Sequence, residues 1–529
     1  MRQHRPRSFF PLVFAVLSLA ALLPLWVGEY MPMVDVPQHA AQLSIGQHWD
    51  DPEFGYQRYF NTNWMTNQLF AYSVVHVFMG VLPLVPALKC TLSLAVLGVP
   101  LAVWFLLSRS GGDRWWSLLA FPVAYNFCFY WGFLNFIVTI PLGLAFIALA
   151  VGYATAPSRQ RALVLAAYAH GLFFAHVLVL AYSGLIAALI ILARAPRRRD
   201  KILGAAALAS ILPAVAAWWA TIQGLNPSTT GTPVFGYWGW HRVSELLSYQ
   251  VGIEESDPRG AIVGGALLLA PFLMGARPSR QAWRWIPFAV TVTAFFIVPL
   301  SAIEVDLIYG RFAAFVLPTL VFALDRAGAA PAGPGGGSAS LAPRDTRWGL
   351  SLTSWPRALV AALVTLQLCT LVLTFRAFDA EARSIDRVLA AAEPHKRLLY
   401  LPTAPASAAS FSWPYSHFGQ WYQIKRGGLV DFSFAEFFPM WYRYKPELLP
   451  GLPDEFDWRP QTFRWGAHHG DRFDYLLVRG PIVADWFEGK PDRVYTVAQH
   501  QEWTLLGVKH RRASDEPERA LLETALPVP

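Results

Sequence analysis

The feature that most constrains this chain is its succession of apolar runs, each about 18 to 25 residues long and separated from the next by short polar clusters. A run of that length crosses a hydrocarbon core of about 30 Å only as a helix, because lipid offers no partners to backbone N–H and C=O groups. The period-two alternation of a membrane barrel is not seen. Composition agrees, since 54% of the 529 residues are hydrophobic, 15% are charged and mean hydropathy is +0.34, against about 25% charged in soluble domains. The net charge of +8 comes from bases in short loops between runs, where they set topology, so it implies no nucleic-acid partner. Cys90, Cys128 and Cys369 lie in or beside apolar runs without paired spacing, which implies neither a disulfide framework nor a zinc site.

The expected architecture is a polytopic α-helical membrane protein of about eleven transmembrane helices, followed by a small α/β domain. MRQHRPR followed by FFPLVFAVLSLAALLPLW reads as an uncleaved first helix, because the apolar stretch is long and no small-residue cleavage site follows; a signal peptide is the alternative. With the N-terminal arginines in the cytoplasm, residues 28–67 and 223–259 become outer loops, and RAPRRRDK, the strongest basic cluster, falls inside. A span is expected over residues 115–131, ahead of FYWGFLNF, where Gly132 and Asn135 loosen the helix or make a tight turn. The run 162–192 has the length of one long helix or two short passes; His170 and His176 within it are expected to be hydrogen-bonded core or cavity residues.

Residues 326–356 read as a Gly-, Pro- and Ser-rich cytoplasmic linker, after which a last span over about 357–375 ends the membrane module of residues 1–375. From residue 376 the apolar runs shrink to strand length, as in KRLLYLP, FDYLLVRG, RVYTVAQ and EWTLLGVKH. Residues 376–529 are therefore expected to form the α/β domain on the outer side of a cytoplasmic membrane.

The first outer loop gathers Glu29, Asp35, His39, His48, Asp50, Asp51 and Glu53 against one base, Arg58. Acids on a long loop at a membrane boundary mark a site by default. MVDVPQHAAQ carries Asp35 and His39 at i and i+4, on one face of a short helix; Asp35 capping that helix, with Pro37 in its first turn, is the structural alternative. Asp50, Asp51 and Glu53 suit a divalent cation such as Mg or Mn, or else a solvated acidic turn around Pro52.

The acidic first outer loop, many spans and a C-terminal outer domain together resemble the GT-C superfamily of integral membrane glycosyltransferases. FYWGFLNF and YGRF also look like segments of bacterial members. The resemblance implies an inverting enzyme that moves a sugar from a polyprenyl-phosphate carrier to a glycan, lipid or protein acceptor. It makes Asp35 the matching catalytic carboxylate, with His39 as helper. The Asp-x-Asp signature frequent in that loop is missing.

Such chemistry asks for a carboxylate at the acceptor hydroxyl and cations at the leaving phosphate. Arg58, Arg242 and Arg311 are the outer-loop arginines suited to phosphate, with structural alternatives in a pairing of Arg311 with Glu304 or Asp306 and an interfacial anchor at Arg242 among Phe235, Tyr237, Trp238 and Trp240. Glu245, Glu254, Glu255 and Asp257 are further candidate acids. In the C-terminal domain, Trp413, Tyr415, His417, Trp421 and Tyr422 are aromatic and polar enough for acceptor binding; filling a small core is the alternative. A transporter of a lipid-linked intermediate is the rival function, but it is expected to show internal repeats and mid-membrane ionisable residues. A non-catalytic membrane scaffold is the third.

Overall fold

The computed structural model describes residues 9–510 apart from 65, 67, 226–232, 237–238, 254–256, 303–304, 327–354, 411, 438–439 and 450–455. Among the described residues, five helices are long and apolar enough to cross a membrane: Leu84–Ser110, Leu134–Thr155, Val177–Arg194, Arg198–Thr221 and Trp355–Leu389. Shorter apolar helices cover Phe10–Trp26, Leu69–Met79, Pro258–Leu273, Ala282–Ile297 and Tyr309–Phe322. The chain is thus a multi-pass α-helical membrane protein, with five long and five shorter apolar helices among the described residues. The linker read over 326–356 lies almost wholly outside the described residues.

The chain divides into two compact units, residues 1–27 with 89–374 and residues 28–88 with 375–529. The first outer loop falls in the second of these units.

In the first unit, helix Leu134–Thr155 packs on Val177–Arg194, with Gly143 at the contact. A Cβ on Gly143 would stand 2.7 Å from Val179 Cγ1, so only glycine permits this approach. The long run 162–192 is two helices, Arg159–Ala175 and Val177–Arg194, with His176 between them in extended conformation. The span expected over 115–131 is instead a 3-10 turn, Arg114–Leu119, and two short helices, Ala120–Val123 and Phe127–Trp131. Asn126 caps the last of these, and Gly132, at φ +80, ends it in the left-handed region that glycine enters without strain.

The second unit is built on a five-stranded sheet in the order Leu429–Val430, Arg397–Pro402, Tyr475–Arg479, Trp503–Val508, Val494–His500. The first three strands run parallel, and Trp503–Val508 pairs antiparallel on both of its sides. Alternate residues face opposite cores, as the pleat requires. Leu398, Tyr400, Leu477 and Leu505 enter one core with Tyr30, Ile385, Phe418 and Trp421. Leu399, Leu401, Leu476 and Leu506 enter the other with Phe456, Phe463 and Trp486. Covering both faces explains why KRLLYLP and FDYLLVRG are almost continuously apolar.

Helix Val36–Gln47 belongs to this unit and is buried from Val36 through Ile45 despite Gln38, His39, Gln42 and Ser44. Burying such groups is costly unless they are hydrogen-bonded. Gln38 donates to the Phe432 carbonyl at 3.3 Å and accepts from Phe434 N–H at 3.0 Å, while Gln42 accepts from Tyr442 N–H at 3.0 Å. The helix thereby holds Phe432, Phe434 and Tyr442 by their backbone groups.

Candidate active site

Asp35 occupies the N-cap position of helix Val36–Gln47, and its carbonyl accepts the His39 N–H at 3.0 Å. Pro37 in the first turn supplies the backbone angle that a helix start needs. The Asp35 side chain, however, makes no cap hydrogen bond. Its Oδ1 lies 3.5 Å from His417 Nε2, the outer limit of hydrogen-bond distance.

His417 sits in the loop after the carboxyl end of strand Arg397–Pro402, on the turn that leads into helix Gln420–Arg426. Its Nδ1 is 2.6 Å from Asp457 Oδ2. The ring is stacked on Phe432, with centroids 5.3 Å apart, and meets Phe434 and Trp458 edge-on. Side-chain exposure rises along the string, from 2% at Asp457 and 3% at His417 to 12% at Asp35. Burial lowers the His417 pKa to about 4, with the Asp35 charge pulling the other way. Burial also pushes the Asp457 carboxyl well above its ordinary range. A neutral imidazole facing a neutral acid is the state that desolvation favours at neutral pH.

Asp431 is a second buried acid with a raised pKa, from burial first and then from the Asp457 charge. Its Oδ1 accepts the Tyr400 N–H at 2.9 Å, and its own N–H donates to the Leu398 carbonyl at 3.0 Å. The side chain thus extends the ladder where the two-residue strand Leu429–Val430 stops.

His39 points to the Tyr72 hydroxyl, 2.7 Å from Nδ1, and packs edge-on against Phe434. Arg58 is exposed on the turn Tyr56–Arg58. Asp50 accepts from Gln57 Nε2 at 2.8 Å; Asp51 accepts from Glu53 N–H at 3.0 Å and lies 3.7 Å from His48 Nδ1. Among the described residues no three His, Cys, Asp or Glu side chains are gathered as metal ligands. Trp421 and Tyr422, read as acceptor-binding aromatics, are core residues. Trp421 meets Tyr30 edge-on at 4.9 Å, and the Tyr422 hydroxyl accepts from Lys396 N–H and donates to the Glu393 carbonyl. Their faces are covered by protein because this corner joins helix Gln420–Arg426 to the sheet.

Arg242 and Arg311 belong to the first unit. The Arg242 guanidinium lies 3.6 Å over the Tyr309 ring, donates to the Phe295 carbonyl at 3.1 Å and stands 3.8 Å from Glu245, which accepts from the Tyr309 hydroxyl. Arg242 and Glu245 are both buried in this group. Arg311 is buried in the 3-10 turn Tyr309–Phe315, donates to the Asp306 carbonyl at 3.0 Å and lies 4.0 Å over Phe133. Asp257 caps helix Pro258–Leu273 and pairs with Arg259. Glu254, Glu255, Glu304, Tyr237 and Trp238 lie outside the described residues.

The structure therefore brings Asp35 together with His417, which the sequence had assigned to a different task, and adds Asp457, which sequence reasoning missed. In GLPDEFDWRP nothing separates Asp457 from an ordinary loop acid.

No protein-family model and no curated protein sequence matches the chain. Among solved structures, the arabinofuranosyltransferase AftD from Mycobacteria, determined by single-particle cryo-electron microscopy, matches over 96% of this chain with a TM-score of 0.53 at 12% identity. A mutant of the same enzyme is also similar, at 12% identity over 96% of the chain and TM-score 0.48. The chain spans about 40% of the length of the AftD chain it matches. At this identity the likeness is one of fold alone.

Proposed function

We propose that the protein is a membrane glycosyltransferase of the GT-C type, with Asp35 as its catalytic carboxylate and a polyprenyl-phosphate sugar as donor. The observation that carries this reading is the Asp35 side chain, which sits at a helix start without capping it and is turned to a buried histidine–carboxyl pair. In the proposed reaction Asp35 takes the proton of an acceptor hydroxyl as that oxygen attacks the anomeric carbon. The bond from that carbon to the phosphate oxygen breaks, the configuration inverts, and polyprenyl phosphate leaves with the electron pair. Arg58, in the same unit as Asp35, is our candidate for the leaving phosphate, and the outer face of the cytoplasmic membrane is our assignment for the reaction. A divalent cation at Asp50 and Asp51 belongs to the mechanism only if chelation abolishes transfer.

The test is transfer of label from a panel of polyprenyl-phosphate sugars in membranes, comparing wild type with Asp35→Asn. Transfer by wild type and its loss in the variant is the expected result. Full transfer by Asp35→Asn would overturn the assignment of Asp35. Movement of an intact lipid-linked sugar across the bilayer without transfer would favour a transporter.

A further inference from the structure

We propose that His417 and Asp457 are positioning residues that hold Asp35 as an oriented anion, with His417 Nε2–H directed at its carboxylate. The inference deepens the glycosyltransferase reading and rests on it for its meaning in catalysis. Its structural content stands by itself.

The geometry carries it. The imidazole is clamped by Phe432, Phe434 and Trp458, so its two nitrogens have fixed directions: Nδ1 to Asp457 and Nε2 to Asp35. A neutral imidazole has one N–H, and the partner at one nitrogen decides where it lies. Were Asp457 an anion accepting Nδ1–H, a bare Nε2 lone pair would face the Asp35 carboxylate, setting two acceptors against each other 3.5 Å apart. With the proton on Asp457, its O–H donates to Nδ1 and Nε2–H faces Asp35, so the sequence of donors and acceptors closes. The site of Asp457, 2% exposed and beside the second buried acid Asp431, favours the protonated carboxyl. One consequence is that Asp35 passes no proton inward, since Nε2 already carries one. A proton that Asp35 takes must leave by its outward side.

This arrangement differs from a hydrolase triad, in which a buried anion orients the histidine and its replacement by asparagine reverses the tautomer. Here an amide at position 457 can still donate to Nδ1.

The test uses the full chain in detergent or membranes. Selective 15N-histidine labelling reads the tautomer, with the His417 signals assigned by their disappearance in His417→Gln. The Nε2–H tautomer is expected, and the Nδ1–H tautomer would overturn the proposal whether or not any sugar is transferred. In the transfer assay, His417→Ala and Asp457→Leu are expected to lose roughly 10- to 100-fold in kcat, the worth of a hydrogen bond to a charged group. His417→Gln, whose amide N–H falls near the Nε2 position, and Asp457→Asn are expected to stay within about 5-fold of wild type. Wild-type kcat in His417→Ala, or equal losses in Asp457→Asn and Asp457→Leu with the fold intact, would overturn it. An inactive Asp35→Asn beside a fully active His417→Ala would sink this proposal and leave the glycosyltransferase reading standing. Absence of transfer by the wild type would sink that reading and leave the tautomer to decide this one.

Discussion

Asp35 Oδ1 and His417 Nε2 stand 3.5 Å apart, one from the start of a helix near the N-terminus and the other from a loop of the C-terminal sheet. The pair joins a carboxylate whose side chain is 12% exposed to a ring that is 3% exposed. Because Asp35 makes no cap hydrogen bond, its amide variant removes no helix-cap contact. Asp35→Asn is therefore expected to lower transfer by about 10²- to 10⁴-fold, the usual worth of a general base. Thermal unfolding of the variant, measured alongside, is expected to shift by less than about 1 kcal/mol in stability.

Acid should weaken the fold through His417. Its folded pKa of about 4 lies below the ordinary 6.5, so between those values the unfolded chain binds more protons and stability falls as pH falls. The loss is at most about 3–4 kcal/mol at about 1.36 kcal/mol per unit. Asp431 and Asp457 act in the opposite sense, because their raised folded values favour the fold at low pH and lose that contribution as pH rises through them. Denaturation of wild type and His417→Gln at pH 7, 6 and 5 isolates the histidine. Wild type is expected to lose ground to the variant on acidification, and parallel curves would contradict the shift.

Gln38 is expected to hold the 432–434 backbone. Gln38→Leu keeps the volume but leaves the Phe434 N–H without this partner, at a cost of about 1–3 kcal/mol, while the Phe432 carbonyl keeps the side-chain amide of Gln420. Faster limited proteolysis between residues 432 and 442 is the readout, and unchanged protection would show that another group supplies those bonds.

Gly28 has no room for a side chain. A Cβ there would stand 2.3 Å from Asp379 Cγ, and Asp379 Oδ1 accepts the N–H groups of Glu29 and Tyr30 at 2.6 and 2.9 Å. Gly28→Ala is expected to cost about 1–3 kcal/mol as the carboxylate is pushed off those donors. A melting temperature equal to wild type would count against this contact.

Two arginines should separate by assay. Arg242→Met strips buried Glu245 of a cation 3.8 Å away and is expected to destabilise by about 3 kcal/mol. Arg58→Ala, at an exposed turn, is expected to change stability by less than about 0.5 kcal/mol while raising the KM for a polyprenyl-phosphate donor. An unchanged KM would remove Arg58 from the phosphate candidates.

Much of the fold was legible because its signals are local. KRLLYLP, FDYLLVRG, RVYTVAQ and EWTLLGVKH are the strands Arg397–Pro402, Tyr475–Arg479, Val494–His500 and Trp503–Val508, recognisable from run length and β-propensity alone. The break at His176 and the short pieces at 114–131 were harder, since hydropathy averages over a window and does not register where a backbone turns.

By itself the sequence determined that the chain crosses a membrane as helices, that a sheet forms near its C-terminus, and that Asp35 begins a helix beside Pro37, because each follows from residues within a few turns of one another. Only the tertiary structure decided that Asp35 faces His417 and that Asp457 stands behind it. That string depends on helix Val36–Gln47 being buried beside helix Gln420–Arg426, and on a loop acid being closed off from water. Desolvation, which sets the charge of His417 and Asp457, is a property of everything packed around them. No stretch of sequence contains it.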